Sequence, residues 1–209
     1  MIIEQIREAL IKGRAPVVAE LVGRALAEGV AASRLLDDAL CGSMGIIGEK
    51  FKKNEIFVPQ VLLAARAMKQ GMEVLKPHLV AAGIKPVATA VIGTIKGDLH
   101  DIGKNLVGMM LEGEGFKVVD AGIGVAPEKF VELAKEHAAQ IIGVSALLTT
   151  TMPSMKDVVR AAREAGISAK VIIGGAPVTQ AFCDEIGADG YSPDAGSAAQ
   201  LATRLALGK

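Results

Sequence analysis

From residue 87 onward, short runs of β-branched and small apolar residues alternate with stretches of helical period, and few folds accommodate that alternation. The runs are "VATAVIGT" (87–94), "FKVVDAG" (116–122), "IIGVSAL" (141–147), "KVIIGG" (170–175) and a weaker "DGYSP" (189–193). Amphipathic stretches fall near 103–114, 127–138, 153–165, 178–186 and 195–207. Strands joined through single helices pair in parallel, with the helices covering both faces of the sheet. The expectation is a Rossmann-like (flavodoxin-like) domain of five parallel strands over residues 86–209.

Residues 1–82 carry helical period almost throughout. Leu35, Leu36, Ala39, Leu40, Met44, Ile47 and Phe51 recur at three- and four-residue steps, as do Val61, Leu62, Ala65, Met68, Met72 and Leu75. Breaks at "GRAP" (13–16), "EGVAAS" (28–33) and "KNEIFVP" (53–59) divide the segment into four helices, two short and two long, with Pro59 in a first turn. Helices of that length can share one core. A four-helix bundle over residues 1–83 is expected, joined to the α/β domain by a linker at 83–86.

Composition narrows the partners. Lys plus Arg and Asp plus Glu each total 23, with no block of like charge, which argues against nucleic acid. Glu4, Arg7 and Glu8 interrupt the apolar run a signal peptide needs, and no segment reaches the length of a membrane span. A cytoplasmic protein without a membrane partner is expected. Cys41 and Cys183, the only two cysteines, lie far apart in apolar or helical surroundings and read as packing residues.

Ligands of open α/β sheets bind beyond the carboxyl ends of the strands. Four unusual groups fall there: Gly97, Asp98, His100 and Gly103 after the first strand, "SALLTTT" (145–151) after the third, Gly174 and Gly175 after the fourth, and "GYSPDAGS" (190–197) around the fifth. His78 and His137 read as surface histidines. His100 differs, because a carboxylate two residues away can hold one ring nitrogen and leave the other as an oriented ligand or base. "GDLHDIG" alone leaves a surface histidine, a catalytic base and a metal ligand all open. It is not a dinucleotide fingerprint, since GxGxxG is absent.

The spacing is more specific. Asp-x-His-x-x-Gly is followed by 41 residues, then Ser-x-Leu, then 26 residues, then Gly-Gly. This series resembles the cobalamin-binding domain of corrinoid proteins that bind the cofactor with its nucleotide base displaced. Upstream, "GEKFKKNEIFVPQVLLAARAM" (48–68) is similar to the helical cap segment of methionine synthase and of small methyltransferase corrinoid proteins. By size and layout the chain looks like the stand-alone corrinoid subunits of methylamine, methanol, betaine or methoxyarene methyltransferase systems.

That resemblance implies a cobalamin or related corrinoid, cycling between cob(I)alamin and methylcobalamin, base-off with His100 as lower axial ligand. Asp98 would hydrogen-bond the far ring nitrogen, and Thr151 would stand where a serine completes the relay in methionine synthase. Asp101, Ile102 and Leu147 would belong to the cofactor-binding set, Asp101 with no assigned role and reading by itself as a solvated loop carboxylate. Ser145, Thr149, Gly103, Gly174 and Gly175 would line the slot for the nucleotide tail, with Tyr191 at its border. Phe57, Val58 and Val61 would cap the upper face. The implied role is a methyl carrier that accepts a methyl group from a substrate-specific methyltransferase and passes it to a second methyltransferase with a thiol or tetrahydrofolate acceptor. A reductive activase is a further implied partner, and the linker at 83–86 would be a hinge. An adenosylcobalamin-dependent mutase subunit and a corrinoid-based sensor use similar domains and rank below methyl transfer. Neither a barrel nor a DNA-binding module is recognisable in the sequence. A hydrolase or metal enzyme using Asp98, His100 and Asp101 directly would leave the spacings unexplained.

Overall fold

The computed structural model describes residues 1–208. Their contacts divide the chain into two compact units, one of Met1–Pro86 with Gly113–Gly115, the other of Val87–Glu112 and the chain from Phe116 onward. Among the described residues no helix is long and apolar enough to cross a membrane.

The first unit has four helical runs. They are α1 (Ile2–Ile11), α2 (Ala15–Ala27), a continuous run of α3 (Ala32–Arg34), a π-helical segment (Leu35–Cys41) and α4 (Gly42–Lys52), and α5 (Val58–Ala81). Pro59 lies in the first turn of α5, where a missing N–H costs nothing, and the Gln60 side chain accepts the Phe57 N–H at 3.1 Å. Ile6, Leu10, Val18, Val22, Leu35, Leu40, Ile47 and Leu75 form the core.

The apolar stripe of α5 differs from the one its large residues suggest. Leu62 is exposed and Ala65 and Met72 are half-buried, while Ala64, Ala67 and Gly71 join Val61, Met68, Leu75 and Leu79 inside. The reason is close approach. A Cβ on Gly71 would lie 2.9 Å from Val18 Cγ1 and 3.1 Å from Leu40 Cδ2, so small residues form the face that touches α2. The π segment has a similar lesson, since a 3.6-residue pattern carries no mark of a turn wound with one extra residue.

In the second unit β1 (Thr89–Ile95), α6 (Ile102–Gly113), β2 (Lys117–Val125), α7 (Pro127–Glu136) and β3 (Ile141–Ser145) are followed by a 3₁₀ turn (Met152–Ser154). The chain continues with α8 (Met155–Glu164), β4 (Lys170–Gly174), α9 (Gln180–Ile186), β5 (Gly190–Tyr191) and α10 (Ala195–Leu207). All strand pairs are parallel, in the order β2-β1-β3-β4-β5. This is the flavodoxin-like arrangement. Val91 and Ile95 face Phe130 of α7 and the apolar side of α8, burying Ile142, Val144, Val158 and Ile173 between sheet and helices. Ile92 faces the other way, its Cδ1 2.8 Å from where a Cβ on Gly108 of α6 would sit.

Strand order reverses between β1 and β3. Their carboxyl ends, paired through Thr94 and Ser145, open onto the crevice where such folds bind ligands.

Candidate functional site

The chain leaves β1 through a tight turn. Gly97 adopts φ +87°, a conformation that side chains disfavour, and the Asp98 N–H donates to the Ile95 carbonyl at 3.1 Å. The turn drives the Asp98 carboxylate into the protein, where it is wholly buried.

Five donors meet that carboxylate. Oδ1 accepts the His100 backbone N–H at 3.1 Å and faces His100 Nδ1 at 2.7 Å. Oδ2 accepts the Leu147 N–H at 2.7 Å, the Leu148 N–H at 3.1 Å and the Thr151 hydroxyl at 2.9 Å. Burial by itself would raise the carboxyl pKa. The His100 ring bond and the backbone donors outweigh it and hold Asp98 well below the usual carboxylate range.

An ionised Asp98 can only accept, so the His100 ring carries its proton on Nδ1 and leaves the Nε2 lone pair available. The imidazole is half exposed, and the His100 carbonyl accepts the Thr94 hydroxyl at 2.8 Å. An oriented imidazole with a free nitrogen is thereby held at the strand end.

Thr151 has two acceptors within reach, Asp98 Oδ2 and the Leu148 carbonyl at 3.0 Å, but a single proton to give. Donation to the charged oxygen is the stronger bond. Its methyl carbon lies 3.4 Å from where a Cβ on Gly97 would be, so the group that distinguishes threonine from serine packs over the bare glycine. The hydrogen bond to Asp98 accommodates it.

Asp101, which in sequence reads as a solvated carboxylate, opens α6. Its carbonyl accepts the Asn105 N–H at 2.8 Å and its side chain accepts Asn105 Nδ2 at 3.0 Å. Beside it Lys104 is buried, with Nζ 2.6 Å from Asp120 Oδ2 and 2.7 Å from Asn105 Oδ1. The other oxygen of Asp120 accepts the Gly122 N–H at 2.8 Å. This chain of bonds pins the start of α6 to β2.

Large exposed apolar side chains stand on the segments that hold the ring. Leu99 and Ile102 flank His100 at 71% and 73% exposure, Leu147 and Leu148 hang from the backbone that binds Asp98, and Ile123 precedes Gly124, whose N–H donates to the Asp98 carbonyl at 3.0 Å. Leu99, Leu148 and Ile123 escaped the sequence reading. Leu99 was within reach, as a leucine between two chemistry-bearing residues at a strand end.

The remaining predicted residues divide. Ser145 ends β3, half-buried; Thr149 is exposed; Gly103 faces open space, and Gly174 ends β4 in register with Ser145. Tyr191 is half-buried against the core cluster. Gly175 follows β4 and approaches the end of β3 closely. At φ +127° a Cβ there would lie 1.8 Å from the Ala146 carbonyl oxygen, so its bareness serves strand-end packing. In the helical unit Phe57 is 63% exposed and Val58 half-buried, whereas Val61 is fully buried and offers no surface.

Chemically, the protein offers a metal one donor here. Among the described residues no three His, Cys, Asp or Glu side chains converge as a metal cage. A single imidazole in an apolar collar fits a metal that brings its in-plane ligands with it, as cobalt does within a corrin ring.

Comparison with known proteins points the same way. A family profile described as a B12 binding domain matches residues 88–200, and a second of the same description matches residues 2–76. The chain is 38% identical over 213 residues to a corrinoid protein of Desulfitobacterium hafniense (strain Y51), covering 100% of this chain and 98% of that one. It is 44% identical over 198 residues to trimethylamine corrinoid protein 1 of Methanosarcina acetivorans, covering 93% and 92% of the two chains. The crystal structure of the methanol:cobalamin methyltransferase complex from Methanosarcina barkeri holds a chain that superposes with a TM-score of 0.89 at 32% identity, covering 100% of this chain and 80% of that one. With both halves matched and relatives aligned nearly end to end, the chain belongs to the family of corrinoid proteins with a B12-binding domain.

Proposed function

We propose that this protein is a corrinoid methyl carrier, a subunit of a methyltransferase system. The observation that carries the reading is the His100 imidazole, fixed through Nδ1 by a buried five-donor carboxylate and open at Nε2 within an apolar collar. The names of its relatives support it: a trimethylamine corrinoid protein, and a methanol:cobalamin methyltransferase complex.

His100 is the lower axial ligand of a base-off corrinoid, and Asp98 with Thr151 sets the ring's orientation and basicity. Asp101 orders the loop through Asn105, while Ile102 and Leu147 contribute apolar surface beneath the ring. Ser145, Thr149, Gly103, Gly174, Gly175 and Tyr191 border the nucleotide tail. Residues 86–209 form the cobalamin-binding domain and residues 1–83 the cap, with Phe57 and Val58 as its apolar contacts and the segment 83–86 as hinge. When bound, the corrinoid supplies a cobalt that takes a methyl group from a substrate-specific methyltransferase and yields it to a second one acting on a thiol or tetrahydrofolate. A reductive activase completes the set of partners, and the cytoplasm is their place.

The test is reconstitution with hydroxocobalamin, reduction, and mixing with methylamine- and methanol-specific methyltransferases and their donors. Stoichiometric methylation of the bound cobalt with one donor, read by absorption, is expected. No methylation with any pair, while each methyltransferase stays active with its own carrier, would contradict the reading.

A further inference from the structure

We propose that Thr94 is a positioning residue for the axial ligand, its buried hydroxyl fixing where the His100 imidazole is presented. This rests on the reading of His100 as cobalt ligand and extends it to a residue on a different element.

Within β1, "TAVIGTI", the interior is otherwise alanine, valine, isoleucine and glycine. Thr94 is 0% exposed. A hydroxyl at such a place is costly unless it is paired. A threonine in a strand interior is ordinarily explained by its β-branch, which valine supplies equally well. The hydroxyl is what valine lacks, and it donates to the His100 carbonyl at 2.8 Å.

The other anchors of His100 are one-sided. Its backbone N–H and its ring Nδ1 both go to a single oxygen, Asp98 Oδ1. They fix the ring's rotation but place no bond on the peptide that follows His100, which is otherwise held through Asp101 at the start of α6. The Thr94 bond ties this peptide to the rigid sheet, on a strand with neighbours on both sides. With N–H, ring and carbonyl all held, Nε2 points in one direction whether or not a metal is bound. Without the hydroxyl the carbonyl loses its donor and the direction of Nε2 spreads, so each bond to the metal must first order the loop. Such pre-ordering is what makes a single-donor ligand effective.

The experiment loads native protein, Thr94→Val, Thr94→Ser and His100→Ala with cob(II)alamin. Paramagnetic resonance reports axial nitrogen coordination as pH is lowered until the imidazole lets go. Removing the hydroxyl that holds this carbonyl should weaken imidazole binding roughly tenfold. A tenfold loss moves the release midpoint up by about one pH unit in Thr94→Val, because a weaker metal bond yields to protonation at higher pH. Thr94→Ser should stay within about 0.3 unit of native, since it keeps the donor. If Thr94→Val does not fold, Thr94→Ala removes the same hydroxyl without placing a methyl group against the carbonyl, and carries the same expectation. A native midpoint in the variants lacking the hydroxyl overturns the proposal. Persistence of the nitrogen signal in His100→Ala overturns the ligand assignment itself. Loss of that signal, with native midpoints at position 94, removes only the role of Thr94.

Discussion

The β1–α6 loop and the start of α5 both expose large apolar side chains, but they hold them by different means. Leu99 and Ile102 stand over a buried carboxylate with five donors, and a threonine hydroxyl and a backbone N–H from β2 bind the same loop. Phe57, Leu62 and Leu63 stand on an ordinary helix start whose side-chain bond is the one from Gln60. The contrast teaches where to look for chemistry. An exposed leucine means little by itself, whereas buried polar scaffolding beneath one costs stability and marks a place where orientation matters.

The largest effect separating the two regions should come from Asp98→Ala, which strands the Leu147 and Leu148 N–H groups at once and leaves the Thr151 hydroxyl only the Leu148 carbonyl. A loss of about 3 kcal/mol or more in denaturant unfolding is expected. The same carboxylate sets an acid limit. Its folded pKa lies below the unfolded value, so its stabilisation is complete above about pH 4 and fades as pH falls toward the folded pKa. Unfolding midpoints measured from pH 6 to pH 3 should therefore fall more steeply in the native protein than in Asp98→Asn.

A smaller effect is expected at the pair that pins α6. Asp120→Ala leaves the buried Lys104 ammonium with Asn105 as its remaining side-chain partner, at a cost of about 2 kcal/mol. Lys104→Met removes the buried charge together with the need for a partner and should cost less than half as much. Equal losses in the two variants would place the stabilisation in the pair itself. Smallest of all is Phe57→Ala, expected within about 0.5 kcal/mol of native in the same assay, because a side chain that exposed contributes little packing. A loss as large as that of Asp120→Ala would erase the distinction between the regions.

How much of this was legible in sequence follows the same division. Strand ends can be read from where β-branched runs stop, and they bring Asp98, His100 and Thr151 together because the sheet leaves little freedom there. Leu147 and Leu148 acting through their backbone N–H groups were not legible, since a main-chain donor about fifty residues away carries no side-chain signature. Thr94 reads in sequence only as a strand former. In the helical unit periodicity locates a stripe but not its rotation, so Val61, fully buried, and Leu62, exposed, looked alike. Gly175 carries a signal with two possible sources, because close approach by Ala146 and by a ligand leave the same residue in the sequence.

The claim at the centre is that His100, held by Asp98, supplies the axial nitrogen to cobalt. The most direct test is the paramagnetic resonance spectrum of the cob(II)alamin-loaded protein grown with ¹⁵N-histidine beside unlabelled protein. If His100 is the ligand, the three-line nitrogen splitting of the unlabelled sample becomes two lines in the labelled one, and His100→Ala loses it. A three-line pattern unchanged by the label would mean that the cofactor's own base binds cobalt, and would contradict the account.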